Sequence, residues 1–253
     1  MGKKDRLIEL AESAGRPPAG PIDCACLIHG STYSWDYVER LYNMLSRQLS
    51  AGIRLHVYTE HDRKVPAHMI KHELKDYKIS SPKKAWWYKL QLFNHKHHQG
   101  PLLYFDLDTV ITDRIDWITH QSLNYFWAPR DFKRLWRPNH LGINSSVMWW
   151  DTRKYEDVWQ QFRQQDFALL QRRYPGDQDF LSDVIGLERR RYLDEQLIRS
   201  WKWECVDGGW DFKQRKYLAP HTGTNLNGAG VLIFHGQPNP ADVKDSVIQQ
   251  HWK

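Results

Sequence analysis

The feature that most constrains this chain is the run GPLLYFDLDTVITD, residues 100–113, in which an unbroken apolar stretch delivers Asp106 and Asp108 separated by one leucine. Leu102, Leu103, Tyr104 and Phe105 show no polar alternation, so the run predicts a strand covered on both faces. Strands of that kind belong to parallel sheets in α/β proteins, whose ligands bind beyond the carboxyl ends of the strands. In extended chain, residues two apart point to the same side, and Asp106 and Asp108 therefore converge. Two carboxylates held that close repel unless a cation or a shared proton intervenes. A hard divalent ion is the simplest remedy, and such an ion can hold phosphate oxygens in turn.

The rest of the chain reads as an α/β pattern. Residues 3–14 carry a helical stripe, and GRPPAGP at 15–21 ends it as a stiff lead-in. IDCACLIHG predicts a buried strand ending at His29 and Gly30, followed by a helix from Trp35 to about Leu49 capped by Ser34, then a strand over 53–59. That is a strand-helix-strand unit, the seed of a right-handed parallel crossover. A short extended piece is expected around Tyr77 to Ile79, and a helix from Pro82 to His95 before the aspartate strand. Beyond it, LNYFWAP and NSSVMWWD read as strands, residues 152–173 as one long helix begun by Thr152, DQDFLSDVIG as a short helix closed by Gly186, and GVLIFHG as a late strand ending in His235. The expected organisation is residues 1–21 as helix and linker, one α/β domain over 22–243 with an open, mostly parallel mixed sheet flanked by helices, and a tail over 244–253.

Composition narrows the function classes. The net charge of +6 favours anionic partners such as a nucleotide, a nucleic acid or a membrane surface. Thirteen tryptophans and twelve tyrosines are unusual for this length and many lie near basic residues, as in KKAWWYK and KRLWRPNH; aromatic faces stack on sugars and bases, although a core role is the first reading of any one of them. No apolar run is long enough to cross a bilayer, and the amino-terminal residues lack a signal peptide's apolar core. Cys24, Cys26 and Cys205 are too few for a disulfide framework, and a reduced, cytoplasmic setting is expected.

Three strand ends carry related chemistry: His29 with Gly30, Asp106 with Asp108, and His235 with Gly236. Carboxylates plus an imidazole suit manganese better than calcium, with magnesium as the alternative. The metal set expected is Asp106, Asp108 and His235.

The ordered segments WWYKLQLF, LLYFDLDTVI, INSSVMWWD, GDQDFL and LIFHGQPNP resemble those of glycogenin-like retaining glycosyltransferases of the GT-A fold, over most of residues 22–243. The resemblance implies a manganese-held uridine-diphosphate sugar as donor, with Asp106 and Asp108 as the metal pair, Leu107 between them at the donor, and His235 as the third ligand. It implies that Leu27, His29, Gly30 and Tyr33 receive uracil and ribose, that Lys89 reaches the donor, that Asn144 and Ser145 lie near the sugar, and that Gly236 lets the backbone approach the phosphates. Asp177, Gln178 and Asp179 would stand beside the reacting anomeric carbon, although an acidic first helical turn reads equally as a favourable partner of the helix dipole. The acceptor would be a glycan, a lipid-linked saccharide or another hydroxyl compound, with peripheral membrane contact compatible with the basic charge.

Two positions depart from the family pattern: Asn239 stands where a lysine is usual in the histidine-glycine motif, and Ser146 where glycogenin has glycine. FDLDTV also fits a haloacid-dehalogenase-like phosphatase with Asp106 as nucleophile, although that motif is usual on the first strand of its fold. A basic, aromatic nucleic-acid-binding or sugar-binding protein without catalysis is the remaining alternative. The basic segment from Arg130 to His140 is expected to form a flexible acceptor-side lid.

Overall fold

The computed structural model describes residues 20–77, 79, 82–214, 216–218 and 223–253. The helix expected over 3–14 and nearly all of the lead-in fall outside them.

Strand alternation divides the interior into two cores. On β1 (Ile22–Leu27), Ile22, Cys24 and Cys26 point to one side and Ala25 to the other; on β4 (Pro101–Phe105), Leu103 and Phe105 oppose Leu102 and Tyr104. The same parity recurs on β7 (Val147–Asp151), where Val147 and Trp149 face one core and Met148 and Trp150 the other. A strand buried on both faces must read as a continuous apolar run, and that is why these segments lack alternation in sequence. Together with β2 (Ile53–Thr59), β3 (Ile70–Glu73), β6 (Phe126–Ala128) and β8 (Arg190–Tyr192), they form a seven-stranded sheet in the order β3-β2-β1-β4-β7-β6-β8. The pairs β1/β2, β2/β3, β1/β4 and β6/β8 are parallel, while β7 runs antiparallel to both β4 and β6.

One core is closed by α1 (Trp35–Gln48) through Val38, Leu41, Met44 and Leu45, and by a small sheet. That sheet sets β12 (Val231–Ile233) between β5 (Thr109–Ile111) and β9 (Ile198–Ser200), antiparallel to the first and parallel to the second. The other core is closed by a 3-10 helix, Pro82–Phe93, and by the helices Glu156–Gln164 and Asp177–Arg189, which insert Trp87, Leu90, Phe93, Val158, Phe162, Phe180 and Leu181. With the four-residue Asp116–Thr119 as α2, these two helices are α3 and α5, and Phe167–Arg173 between them is α4. The chain passes from β1 outward to β2 and β3 and then returns to place β4 on the other side of β1. The crevice outside the carboxyl ends of β1 and β4 is therefore the topological switch point, the place where open α/β sheets bind ligands.

Several expected elements differ. Ser34 occupies the N-cap of α1 without a side-chain cap bond. The extended piece expected near Tyr77 lies earlier, as β3, and Tyr77 itself is a left-handed turn residue with φ 46°. The long helix expected from Thr152 is broken in two, because the Asp166 carboxylate accepts from the amides of Ala168 and Leu169 and starts a new helix. Gly186 does close the short helix begun at Asp177, as expected: at φ 70° and ψ 167° it breaks the helical path, and a further short turn follows it as far as Arg189. Beyond Pro238, where a short helix or a tail is expected, the chain forms a 3-10 turn at Pro240–Asp242 and the short helix α6 at Ser246–His251. The π-helical turn Trp201–Cys205 and the hairpin of β10 (Trp210–Asp211) with β11 (Lys216–Tyr217) were not expected.

Leu103, fully buried and paired with Trp149 across the reversal of sheet direction, tests this two-core arrangement. Leu103→Ala should cost about 2–5 kcal/mol, read as a lower urea midpoint with an unchanged slope.

Candidate active site

Asp106 follows the last residue of β4, and its amide donates to Ser146 O at 2.8 Å, so the strand register fixes where its carboxylate stands. Tyr104, two residues earlier on the same face, donates its hydroxyl to Asp106 Oδ1 at 2.6 Å. Lys89 Nζ lies 3.0 Å from one Asp106 oxygen and 3.2 Å from the other, 3.4 Å from Asp177 Oδ2, and donates to Ser145 Oγ at 3.1 Å. Ser145 in turn donates to Asp177 Oδ2 at 2.7 Å. Burial disfavours the Lys89 ammonium, yet Asp106 and Asp177 outweigh it and keep its pKa above the ordinary lysine value. Asp177 is raised by burial, against the opposing effect of Lys89.

Asp108 receives the Tyr33 hydroxyl at 3.2 Å. Burial and then the Asp106 charge push its carboxyl up to about 7. Asp106, Leu107, Asp108, Tyr33, Lys89 and Gly236 line a cavity of about 440 Å³, together with Leu27, His29 and the half-exposed Trp86. His29 stacks on Tyr88 with ring centroids 4.3 Å apart. Gly236 has φ 63°, and a Cβ there would meet nothing within 4 Å, so its backbone is open toward a ligand. Gly30 does not line the cavity; its amide donates to Glu60 and its carbonyl accepts from Arg63.

His235, adjacent to Gly236, faces a second cavity of about 400 Å³ with Asn144, Gln178, Asp131 and an aromatic wall of Trp136, Trp203, Trp210 and Phe212. Its ring stacks on Trp203 at 4.4 Å and meets the edge of Phe132 at 4.8 Å. Burial, then the Lys202 charge, hold its pKa down to about 3, so the imidazole is neutral, and its buried Nε2 has no hydrogen-bond partner. A neutral imidazole with an orphaned nitrogen, beside two crowded carboxylates, fits the donor chemistry of a manganese- or magnesium-type ion. The three donors are not gathered, however. Among the described residues, the three-residue group whose ligand atoms lie within 4.8 Å of one another is Asp23, His56 and His98, not Asp106, Asp108 and His235.

The packing places the other expected residues. Lys89 lines the first cavity, where, 4% exposed, it is held by two carboxylates and Ser145. Of the three residues expected beside the anomeric carbon, Gln178 alone lines a cavity, its amide donating to Asp131 Oδ2 at 3.2 Å. Asp177 is buried under Lys89 and Ser145, and Asp179 faces Lys133 at 3.7 Å. Ser145 and Ser146 are buried and line neither cavity; Asn144 does, while its Oδ1 accepts from the Ser146 amide. The segment from Arg130 to His140 is no loose lid. It is closed by Arg130 donating to His140 O, by the His140–Asp131 contact of 3.0 Å, and by burial of Phe132 and of Arg134, which pairs with Glu195 and Glu204. Asn239 starts the turn Pro240–Asp242, its amide donating to the Asp242 carboxylate, and Lys202 donates to His235 O and Gln237 O before it.

Two sets of residues escaped the sequence. Asp131, 5% exposed, holds Gln178, His140 and Lys133, and in sequence it signals only the cap of a short turn. The aromatic wall comes from the end of a 3-10 turn (Trp136), a π-helical turn (Trp203) and a two-residue strand with the residue after it (Trp210, Phe212), which carry no periodicity.

No family model matches the chain, and no curated protein is similar to it in sequence. Its fold is that of GT-A-type glycosyltransferases. The glycosyltransferase GlyE of Streptococcus pneumoniae TIGR4 superimposes with a TM-score of 0.64 at 15% identity, over 92% of this chain and 60% of that one. An active-site mutant of LgtC gives 0.59 at 11%, covering 90% of this chain and 93% of that one. The bifunctional glycosyltransferase WbbM gives 0.58 at 9%, over 90% and 48%. The chain thus spans about 60% of the length of GlyE.

Because the Asp108 carboxyl is raised from 3.8 to about 7, the folded protein holds a proton that the unfolded chain releases above pH 4. That contribution to stability is present at low pH and lost as pH rises to 7. Asp108→Asn should therefore melt higher than the parent in chelator, with a difference that grows from pH 4 to 7 and is flat above; each 1 kcal/mol corresponds to about 2–4 °C. Melting curves at pH 4.5, 6 and 8 test this, and a pH-independent difference would contradict it.

Proposed function

We propose that the chain is a metal-dependent glycosyltransferase that moves a hexose from a uridine-diphosphate sugar to an acceptor hydroxyl with retention of configuration. The observation that carries this reading is the Asp106/Asp108 pair at the carboxyl end of β4, on the switch point of a glycosyltransferase fold, facing a cavity with aromatic and backbone surfaces suited to a nucleotide. Asp106 and Asp108 would hold the ion, with His235 as the third donor once its ring leaves the aromatic clamp; when bound, the ion supplies Lewis-acid neutralisation of charge on the departing diphosphate.

The residues of the chain have separable tasks. Tyr104 and Lys89 orient Asp106. Tyr33 orients Asp108, and with its hydroxyl so engaged its ring is left to stack on the base. Leu27 and His29 close the nucleoside end of the first cavity, and Gly236 offers open backbone to the phosphates. The second cavity, with the Gln178 amide and a wall of tryptophans, suits the sugar and its acceptor, since indole faces pack against pyranose rings. Asp177 and Asp179 are both engaged by lysines, and Asp131, the carboxylate that lines the second cavity, is taken up by Gln178, His140 and Lys133. A double displacement needs a carboxylate close beneath the anomeric carbon. A front-side route therefore fits better, with the leaving phosphate taking the acceptor's proton and Gln178 opposing positive charge on the sugar. The phosphatase reading gains nothing here, because the Asp106 carboxylate it needs as nucleophile is bound by Tyr104 and Lys89. No helix among the described residues is long and apolar enough to cross a membrane.

A melting-temperature panel of nucleotide sugars with and without manganese should show a manganese-dependent rise for a uridine-diphosphate hexose, since a ligand that binds only the folded form stabilises it. Asp108→Asn should lose that rise, and release of uridine diphosphate should fall at least about 100-fold. An unchanged rate in the variant would remove the metal from the reaction.

A further inference from the structure

At the opposite ends of the same strands stands a second cluster that the proposed transferase chemistry does not use. Asp23 is on the first turn of pleat of β1, His56 lies on β2, and His98 sits in the loop that leads into β4. The register Asp23↔Arg54 and Ala25↔His56 puts Asp23, Arg54 and His56 on one face of the sheet, and the loop before β4 brings His98 against it. His56 Nε2 is 3.0 Å from Asp23 Oδ1, and His98 Nε2 is 4.0 Å from Asp23 Oδ2. Their ligand atoms all lie within 4.8 Å of one another.

We propose that Asp23, His56 and His98 form a binding site for a zinc-type divalent cation, distinct from the aspartate pair at the carboxyl ends. Zinc bonds imidazole nitrogen and carboxylate oxygen at about 2.0–2.2 Å, so tetrahedral ligand atoms stand about 3.3 Å apart, between the two distances seen here. Two imidazoles with one carboxylate favour zinc over magnesium or calcium, which take oxygen donors. The surroundings also match. His56 Nδ1 lies 2.8 Å from His72 Nε2, the kind of outer partner that fixes the tautomer and orientation of a metal-bound imidazole. His56 is 6% exposed, and the His98 side chain 10%. Behind them, the Tyr58 hydroxyl and His97 Nε2 are buried with no hydrogen-bond partner, leaving polar capacity around the cluster unfilled.

Arg54 now occupies the outer side of Asp23, donating to both carboxylate oxygens at 2.6 and 2.7 Å, and His98 Nε2 also lies 3.2 Å from Pro101 O. The Arg54 side chain is half exposed and can turn to water, so the ion and the guanidinium compete for the same carboxylate. With water as fourth ligand, the ion would fasten β1, β2 and the approach to β4 at their amino ends, which are the strands whose carboxyl ends carry His29, Asp106 and Asp108.

The test uses the full chain stripped with chelator and titrated with zinc against a chromogenic zinc indicator. One equivalent should bind with a dissociation constant below about 1 μM, and cobalt in its place should give the intense visible absorption of a four-coordinate ion. His98→Ala should weaken binding at least about 100-fold and abolish the cobalt band, while Asp108→Asn leaves both in place. Arg54→Gln, an exposed change that removes the competing cation, should tighten binding at least about threefold, and it keeps the question open to measurement should His98→Ala fail to fold. Absence of zinc binding in the parent, loss of it in Asp108→Asn with retention in His98→Ala, or an Arg54→Gln affinity no tighter than the parent's would each overturn the site.

Discussion

The architecture turns on a lysine buried between two carboxylates. Lys89 can be taken out of water only because Asp106 and Asp177 face it and Ser145 accepts from it, and removing one partner from such a group costs about 3–5 kcal/mol. Those four residues come from the 3-10 helix, the end of β4, the approach to β7 and the first turn of α5. One ionic cluster therefore joins four chain segments at the point where the sheet changes winding direction. Its arrangement leaves Asp106 oriented and partly exposed, with Asp108 beyond it bound by the Tyr33 hydroxyl and its carboxyl raised by burial and by the Asp106 charge.

The sequence made the first half of this legible. A run without alternation encodes burial on both faces, and β1, β4 and β7 were readable for that reason, with the aspartates at the end of the middle one. Position at a strand's carboxyl end then followed from α/β topology. What could not be read was which polar groups satisfy one another. Lys89 in WWYKLQLF is indistinguishable from a solvated helix position until Asp177, almost ninety residues later, is seen against it. Asp131 looked like a turn residue because its partners Gln178 and His140 come from a helix and from the end of a loop. The break of the long helix at Asp166 is a local signal, an acidic cap inside an apolar pattern, and the cap prevails over the pattern.

His235 shows a different limit. Its sequence context predicts a ligand, and its buried Nε2 without a partner agrees with an atom made for one. Yet its ring packs against Trp203 and Phe132 and lines the second cavity, while the aspartates line the first. The two statements are compatible if the positive-φ glycine is where the loop flexes, since only the peptide planes beside it need turn to move the ring from one cavity to the other. The aromatic clamp then becomes a resting place, and the Lys202 bonds to His235 O and Gln237 O hold the loop while the ring is parked.

Both metal-capable clusters arise from one property of the sheet. Strand parity sends Tyr104 and Asp106 to the same face as Ala25, Asp23 and His56, so the carboxyl and amino ends of that face each gather polar side chains while the middle is packed with Tyr58, Leu102 and Tyr104. A face that is apolar in its centre and polar at both rims separates the two clusters along the strands. It also connects them mechanically, because β1 and β4 run from one rim to the other without interruption. An ion at the amino rim would act on the aspartate pair through strand position alone, with no residue in common, and so would alter how well the pair is placed rather than what it can bind.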